Sequence, residues 1–398
     1  MSKEKLWTKD FIIVSLINFL ITLIFFMLMV TIASFAKSEF NASTSMAGLV
    51  SSIFIIGTLM GRLVTGRIIG DVGSKKTLLI GLIAFSATTA LYFGAFNLPL
   101  LLANRFLHGL SVGIASTATG TIIAQLIPPT RRGEGIGYYS MSAIMATAVG
   151  PFIGILLTQI FPDFYMIFLI NLGLSFICLA TFLLVKVPQQ VATKSSQTEK
   201  SSNSGFKLSN FIETKAVPIS FVALVIGFSY SGVMSFLSFY SESINLVTAG
   251  SYFFLVYAIV ILLSRPFTGR LMDTKGANII VYPSLIIFAI GMTLFSQASS
   301  GIILLLAAAL IGLGYGNFNS IAQALAIKVT PNHRLGLATS TYFIFYDFGL
   351  GVGPYLLGFL VPVFGYRHLF LSMVIVILIS IVLYYFLHGR KDKVLLQA

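Results

Sequence analysis

A single offset of 203 residues aligns the two halves of this 398-residue chain. Gly66-Arg67 recurs as Gly269-Arg270, Gly73 as Gly276, Gly109 as Gly312 and Gly113 as Gly316. Further on, Pro128 matches Pro331, Arg131 matches Arg334, Gly133 matches Gly336, and Gly150-Pro151 matches Gly353-Pro354. The register holds without a gap, so the chain is a duplicated unit and whatever it folds into must be built twice.

Both copies are strongly apolar. The chain is 57% hydrophobic and 9% charged, with mean hydropathy +0.96, against about 25% charged residues in a soluble domain. A helix that spans a bilayer needs roughly 20 mostly apolar residues. Twelve such stretches are predicted, near 11–33, 46–68, 77–96, 98–125, 136–160 and 164–187, then 216–240, 248–272, 279–297, 301–327, 337–361 and 367–388. The expected fold is an all-α membrane protein of two pseudo-symmetric six-helix bundles, residues 1–187 and 216–398, which suits a carrier made of parallel repeats. Residues 188–215, rich in Ser, Gln, Lys and Thr, read as a cytoplasmic linker. The apolar run after the basic N-terminus is too long for a secretory signal and reads as a first helix that is kept. The lone Cys178 excludes an internal disulfide.

The net charge of +13 invites a nucleic-acid reading, but the position of the basic residues argues against it. With the N-terminus inside, the outer face carries only Lys37 and Arg367, and Arg105 falls within a helix; the remaining 22 of 25 Lys and Arg fall in inner loops, tails or inner helix ends. This positive-inside bias predicts a multi-pass protein of the cell membrane with both termini cytoplasmic.

The paired loops carry the sharpest pattern. After the second span the chain reads Gly66-Arg-Ile-Ile-Gly70-Asp71-Val-Gly73-Ser-Lys75-Lys76, and after the eighth Gly269-Arg-Leu-Met-Asp273-Thr-Lys-Gly276. Glycine at both ends suits a tight turn, and a carboxylate there can accept from basic loop residues or from a neighbouring helix start. The superficial likeness of 70–77 to a phosphate loop fails, because no glycine precedes the Lys-Thr and no βα unit surrounds it.

These loops resemble those of the major facilitator superfamily, whose inner-loop pattern is Gly-x-x-x-Asp-Arg-x-Gly-x-Arg-Arg. The second copy keeps Gly269, Asp273 and Gly276; the first keeps Gly66, Gly73, Lys75 and Lys76, but Asp71 stands one place late and Gly70 takes its position. Pro128-Pro-Thr-Arg-Arg-Gly-Glu134 and Pro331-Asn-His-Arg-Leu-Gly336 are similar to that family as well, so the resemblance covers the whole chain. Gly150-Pro151-x-x-Gly154 resembles the antiporter motif of its exporters, with Ala146 four residues before it on the same small face and Gly353-Pro354 as the later copy. Arg105-Phe-Leu-His108-Gly109 resembles the family's Arg-x-x-Gln-Gly.

Among the twelve acids only Asp347 falls about ten residues into a span. A carboxyl at that depth can take up and release a proton as each side opens, which makes Asp347 the first proton-coupling candidate, followed by Arg105 and His108. Each of the three breaks the repeat: Asp347 stands against Ile144, Arg105 against Ala308 and His108 against Ile311. The resemblance implies that helices 1, 4, 7 and 10 line a central cavity, and polar or aromatic residues expected there, with Tyr346 beside Asp347, are Asn18, Thr117, Tyr230, Ser235, Tyr315, Asn317, Asn319 and Gln323. The whole pattern implies a monomeric drug:proton antiporter with a small amphipathic substrate, protons as coupling ion, the lipid bilayer as environment and no nucleic-acid partner. No nucleophile–base set, metal cluster or cofactor motif suggests an enzyme. An exporter of a sugar, metabolite or metallophore, an uptake symporter and a non-transporting sensor remain the alternative readings.

Overall fold

Twelve apolar helices account for the fold of the computed structural model, which describes residues 5–42, 44–161, 163–186 and 211–391. Most of the expected linker, 188–210, lies outside the described residues. No strand occurs among the described residues. The first bundle holds α1 (Lys9–Phe40), α2 (Thr44–Val72), α3 (Ser74–Ala90), α4 (Leu98–Leu126), α5 (Arg132–Ile160) and α6 (Tyr165–Phe182). The second holds α7 (Val217–Ser243), α8 (Val247–Lys275) and α9 (Asn278–Ser296). Its α10 runs through Gly301–Ile311, one π turn at Gly312–Gly316, and Asn317–Lys328. A final stretch, Leu335–Leu387, breaks at Gly365 (φ 69°) into α11, 335–364, and α12, 366–387. All twelve predicted stretches fall on these helices, except that α3 stops at Ala90 and α6 at Phe182, each several residues short of its predicted end.

The starts are locally encoded. Thr8, Asn97 and Ser300 each accept a hydrogen bond from the backbone N–H three residues on, and so cap α1, α4 and α10. The repeat is exact at the paired turns: Gly73 and Gly276 both sit at positive φ, 87° and 89°, a conformation that costs a side chain dearly and glycine little. An even number of spans brings the described ends, Lys5 and Lys391, to one side of the molecule, called here the terminal face. Large apolar side chains such as Phe152, Phe267 and Ile302 remain exposed around the bundle, as a lipid-facing belt requires.

The two bundles meet along α2 against α11 and α5 against α8, with α4 and α10 behind them. Close approach at the terminal face depends on small residues. A Cβ on Gly66 would come within 2.5 Å of Ser340 Oγ, and one on Gly269 within 2.7 Å of Glu134 Cα. Gly150 and Gly154 serve a different contact: they admit α1 against α5 inside the first bundle, where a Cβ on Gly150 would meet Phe26 Cβ at 2.7 Å, and Gly353 admits Ser231 of α7 against α11.

Gly269→Leu is therefore expected to wedge α5 from α8 while leaving each bundle intact. Spin labels at Lys76→Cys and Lys275→Cys, in a Cys178→Ser background, will report a longer or broader distance distribution at unchanged helicity. An unaltered distribution would show that this seam does not depend on the glycine.

Candidate functional site

The terminal-face seam is built on the second copy of the repeated loop. Asp273, on the last turn of α8, reaches the first turn of α5, where its carboxylate accepts from the backbone N–H groups of Gly133 and Glu134, both at 2.8 Å. Those N–H groups have no partner within their own helix, and the positive end of the helix dipole favours the acid. Glu134 in turn accepts from Arg131 at 2.7 Å and from Arg270 of the other bundle at 2.8 Å. Arg132 extends the seam to Asn332 at 2.9 Å.

The first copy makes no such clasp. Gly70 occupies the place of Asp273 and has no carboxylate, while Asp71, Lys75 and Lys76 are exposed. At the start of α11 an apolar contact replaces the acid, with Gly336 packed on Ile69. Arg334, the repeat of Arg131, pairs instead with Glu213 just before α7. The duplicated loop has thus kept its turn in both copies and its lock in one.

A second link lies at mid-depth. Arg62 stands ten residues before Val72, the end of α2, or roughly 15 Å along the helix at 1.5 Å per residue. Its Nε donates to Asp347 Oδ2 of α11 at 2.7 Å, its guanidinium stacks over Phe343 at 4.4 Å, and its backbone carbonyl accepts from Ser340 Oγ at 2.6 Å. Side-chain exposures of 9% and 17% leave both partners largely out of solvent, so the pair is held in a medium where an unpaired charge is expensive. Asp347 was legible in the sequence, but its partner was not. Arg62 was grouped with inner helix ends, and the structure places it well inside α2. The missed signal was in the repeat: Arg62-x-x-Thr65-Gly66-Arg67 recurs as Arg265-x-x-Thr268-Gly269-Arg270.

Arg265 is likewise buried in α8, 2% exposed. It donates from Nη2 to the carbonyl of Gly316 at 2.8 Å, at the end of the π turn of α10. Asn317, packed beside the turn, donates to the carbonyl of Leu313 at 2.9 Å and accepts from Thr268 at 3.1 Å. Five tyrosines converge on this region. Tyr230 stacks on Tyr315 at 3.8 Å and on Tyr257 at 5.7 Å; Tyr315 and Tyr346 share a hydrogen bond of 2.8 Å; Tyr342 donates to the carbonyl of Asn319 at 2.7 Å. Tyr342 is an electrostatic neighbour of both Asp347 and Arg265, which joins the ion pair to the tyrosine cluster.

The other candidates divide. Tyr230, Tyr315, Asn317, Asn319 and Tyr346 belong to this cluster. Asn18 lies in the first bundle, donating to Ser142 at 2.9 Å, in a group with Thr119 and Tyr139. Thr117 and Gln323 are buried, each with a side-chain atom that has no hydrogen-bond partner. Ser235 is exposed on α7. Arg105 and His108 come together, but away from the seam between the bundles. Both are fully buried inside the first bundle and share Tyr92, whose hydroxyl is 3.1 Å from Arg105 Nη1 and 2.9 Å from His108 Nδ1. Among the described residues no group of His, Cys, Asp and Glu could hold a metal ion.

If Arg62 and Asp347 act as a pair, Arg62→Ala and Asp347→Ala will each lower stability by roughly 1–3 kcal/mol, and the double variant will lose less than the sum by about 1 kcal/mol. Thermal unfolding of the four proteins in detergent gives the comparison; strictly additive losses would leave the contact without energetic content.

Comparisons with known proteins agree with this architecture. The family model described as Major Facilitator Superfamily matches residues 14–316 and 219–397. An uncharacterised MFS-type transporter of Methanocaldococcus jannaschii is 24% identical over 350 residues, covering 85% of this chain and 88% of that one. One from Burkholderia mallei is 23% identical over 370 residues, covering 90% and 87%. Among solved structures, the human organic anion transporter MFSD10 (TETRAN) superposes with a TM-score of 0.74 at 16% identity, covering 94% of this chain and 98% of that one. The transporter FucP in the outward conformation gives 0.76 at 14% identity, covering 96% and 99%.

Proposed function

The chain belongs to the Major Facilitator Superfamily, and from that premise we propose that it exports a small amphipathic solute in exchange for protons, by rocking of the two bundles about the mid-depth site. The superfamily is one of transporters, so carriage of a small molecule across a membrane by this multi-pass protein is the ground on which the finer reading stands. The observation that carries it is the Arg62–Asp347 pair, which ties one bundle to the other halfway through the protein.

In this reading the basic terminal face lies in the cytoplasm, and the seam of Asp273, Glu134 and Arg270 closes that side. A proton arriving from the opposite side binds the Asp347 carboxylate. The acid then loses its ionic attraction to Arg62, and the two bundles are free to part at mid-depth and rotate. Once the cytoplasmic side opens, the proton leaves, the carboxylate recovers its charge, and the solute has access from inside. Each event changes one charge in a region of low dielectric, where that change alters the balance between two packed states. The likeness of Gly150-Pro151-x-x-Gly154 to the antiporter motif supports export. Its place at the α1–α5 contact, matched by Gly353-Pro354 at α7–α11, would let each bundle rotate as a unit.

In proteoliposomes, an imposed proton gradient should drive solute flux through the wild type and not through Asp347→Asn, which keeps the shape of the side chain and removes its titration. Equal gradient-driven flux in the variant would remove Asp347 from the coupling step, and wild-type flux that persists after the gradient is collapsed would remove proton coupling itself.

A further inference from the structure

Repeat symmetry leaves one buried cation over. Arg62 of α2 has its acid on α11, at position 347; the same contact in the other copy would join Arg265 of α8 to position 144 of α5, which is Ile144. The helices are in place for it. α5 and α8 pack at Gly133 and Gly269, and a Cβ on Gly137 would sit 4.0 Å from Arg265 Cδ. Arg265 therefore faces the junction of the bundles with its charge uncompensated. Only Nη2 is engaged, on the Gly316 carbonyl, while Nε and Nη1 are buried without a hydrogen-bond partner. An unsatisfied buried donor is costly, more so when it is charged, so a chain that keeps one there maintains a standing demand for an anion.

The surroundings suit an anion joined to an aromatic or other flat apolar body. Tyr257 and Tyr342 are the electrostatic neighbours of the guanidinium. Tyr230 is stacked between Tyr257 and Tyr315, so the charge borders a buried aromatic group rather than an aliphatic one. Nε and Nη1 point to different edges of the guanidinium, so each offers a charge-assisted hydrogen bond to an oxyanion. Arg62 has one unsatisfied atom of its own, its Nη1, on the α2–α11 side of the junction. Two guanidinium groups against the single carboxylate of Asp347 leave the mid-depth junction one positive charge in excess.

We infer that the transported solute carries a carboxylate, or an equivalent oxyanion, on an aromatic or amphipathic body, and that Arg265 is the residue that holds it. This deepens the proposed function and rests on the mid-depth site assigned there. The anion would supply to Arg265 what Asp347 supplies to Arg62. A neutral or cationic solute of the same shape would leave the guanidinium unpaired and bind poorly.

The test uses the full chain in detergent and three probes of nearly equal shape, 2-naphthoate, 2-naphthamide and 2-naphthylmethylammonium, with thermal stabilisation as the readout of binding. The wild type should be stabilised in a saturable way by the carboxylate and by neither analogue. Arg265→Gln keeps a donor for the Gly316 carbonyl and should weaken carboxylate binding by about tenfold or more, the equivalent of 1.4 kcal/mol. Ile144→Asp leaves Arg265 in place and supplies the acid that the repeat omits; it should raise the melting temperature of the unliganded protein and at the same time abolish stabilisation by naphthoate. The inference is overturned by equal stabilisation from all three probes, by preference for the ammonium, by no response to naphthoate, or by a naphthoate response that survives both substitutions. No gradient is present in this measurement, so its failure leaves proton coupling at Asp347 standing, and loss of coupling in the Asp347→Asn flux experiment leaves the anion site standing.

Discussion

A charge buried between two bodies that must separate is the constraint on which the structure turns. In a low-dielectric interior an ion pair attracts strongly when formed and leaves costly orphans when broken, so in the proposed cycle the Arg62–Asp347 contact would act as a switch with few intermediate states. Its position gives it that leverage. It lies roughly 15 Å in from the terminal face, where α2 and α11 cross between bundles, and Ser340 fastens the backbone of Arg62 to the same helix. A link at that depth is strained by rotation in either direction. The seam at the terminal face, by contrast, can be made and broken by a rotation that opens that face alone.

The duplication explains why the two copies diverge where they do. A symmetric protein would carry two acid–helix locks and two mid-depth ion pairs. This chain keeps the lock at Asp273 and replaces its counterpart with the Ile69–Gly336 contact; it keeps the pair at Asp347 and replaces its counterpart with Ile144 opposite Arg265. The lock and the ion pair that survive therefore run across different helix contacts, α5–α8 for the first and α2–α11 for the second. Closing the terminal face and joining the middle fall to separate seams, and the acid missing from one of them leaves Arg265 without a carboxylate partner.

Much of the fold was legible because duplication and apolarity each impose a strict period. The helix count follows from the length needed to cross a bilayer, and the glycines of the paired turns from the positive φ that Gly73 and Gly276 adopt. Asp347 was legible because an acid deep in an apolar run has few bland explanations. Helix rotation was not legible. A span that is apolar all round carries no stripe to tell lipid from bundle, so Arg105 and His108 could not be assigned to the inside of the first bundle. Arg62 and Arg265 were hidden by their distance from the loops, short enough along the sequence to read as helix ends, although their shared Arg-x-x-Thr-Gly-Arg setting marked them as a pair.

In the proposed cycle the Asp347 carboxyl changes its protonation when the bundles part, and infrared difference spectroscopy observes that group directly. Comparing the protein locked at its terminal face by a cross-link with the freely moving protein at acid pH, the account predicts a protonated-carboxyl band that appears on release and is missing from Asp347→Asn. A band that is the same in the variant, or a carboxylate that remains ionised in both states, would contradict it.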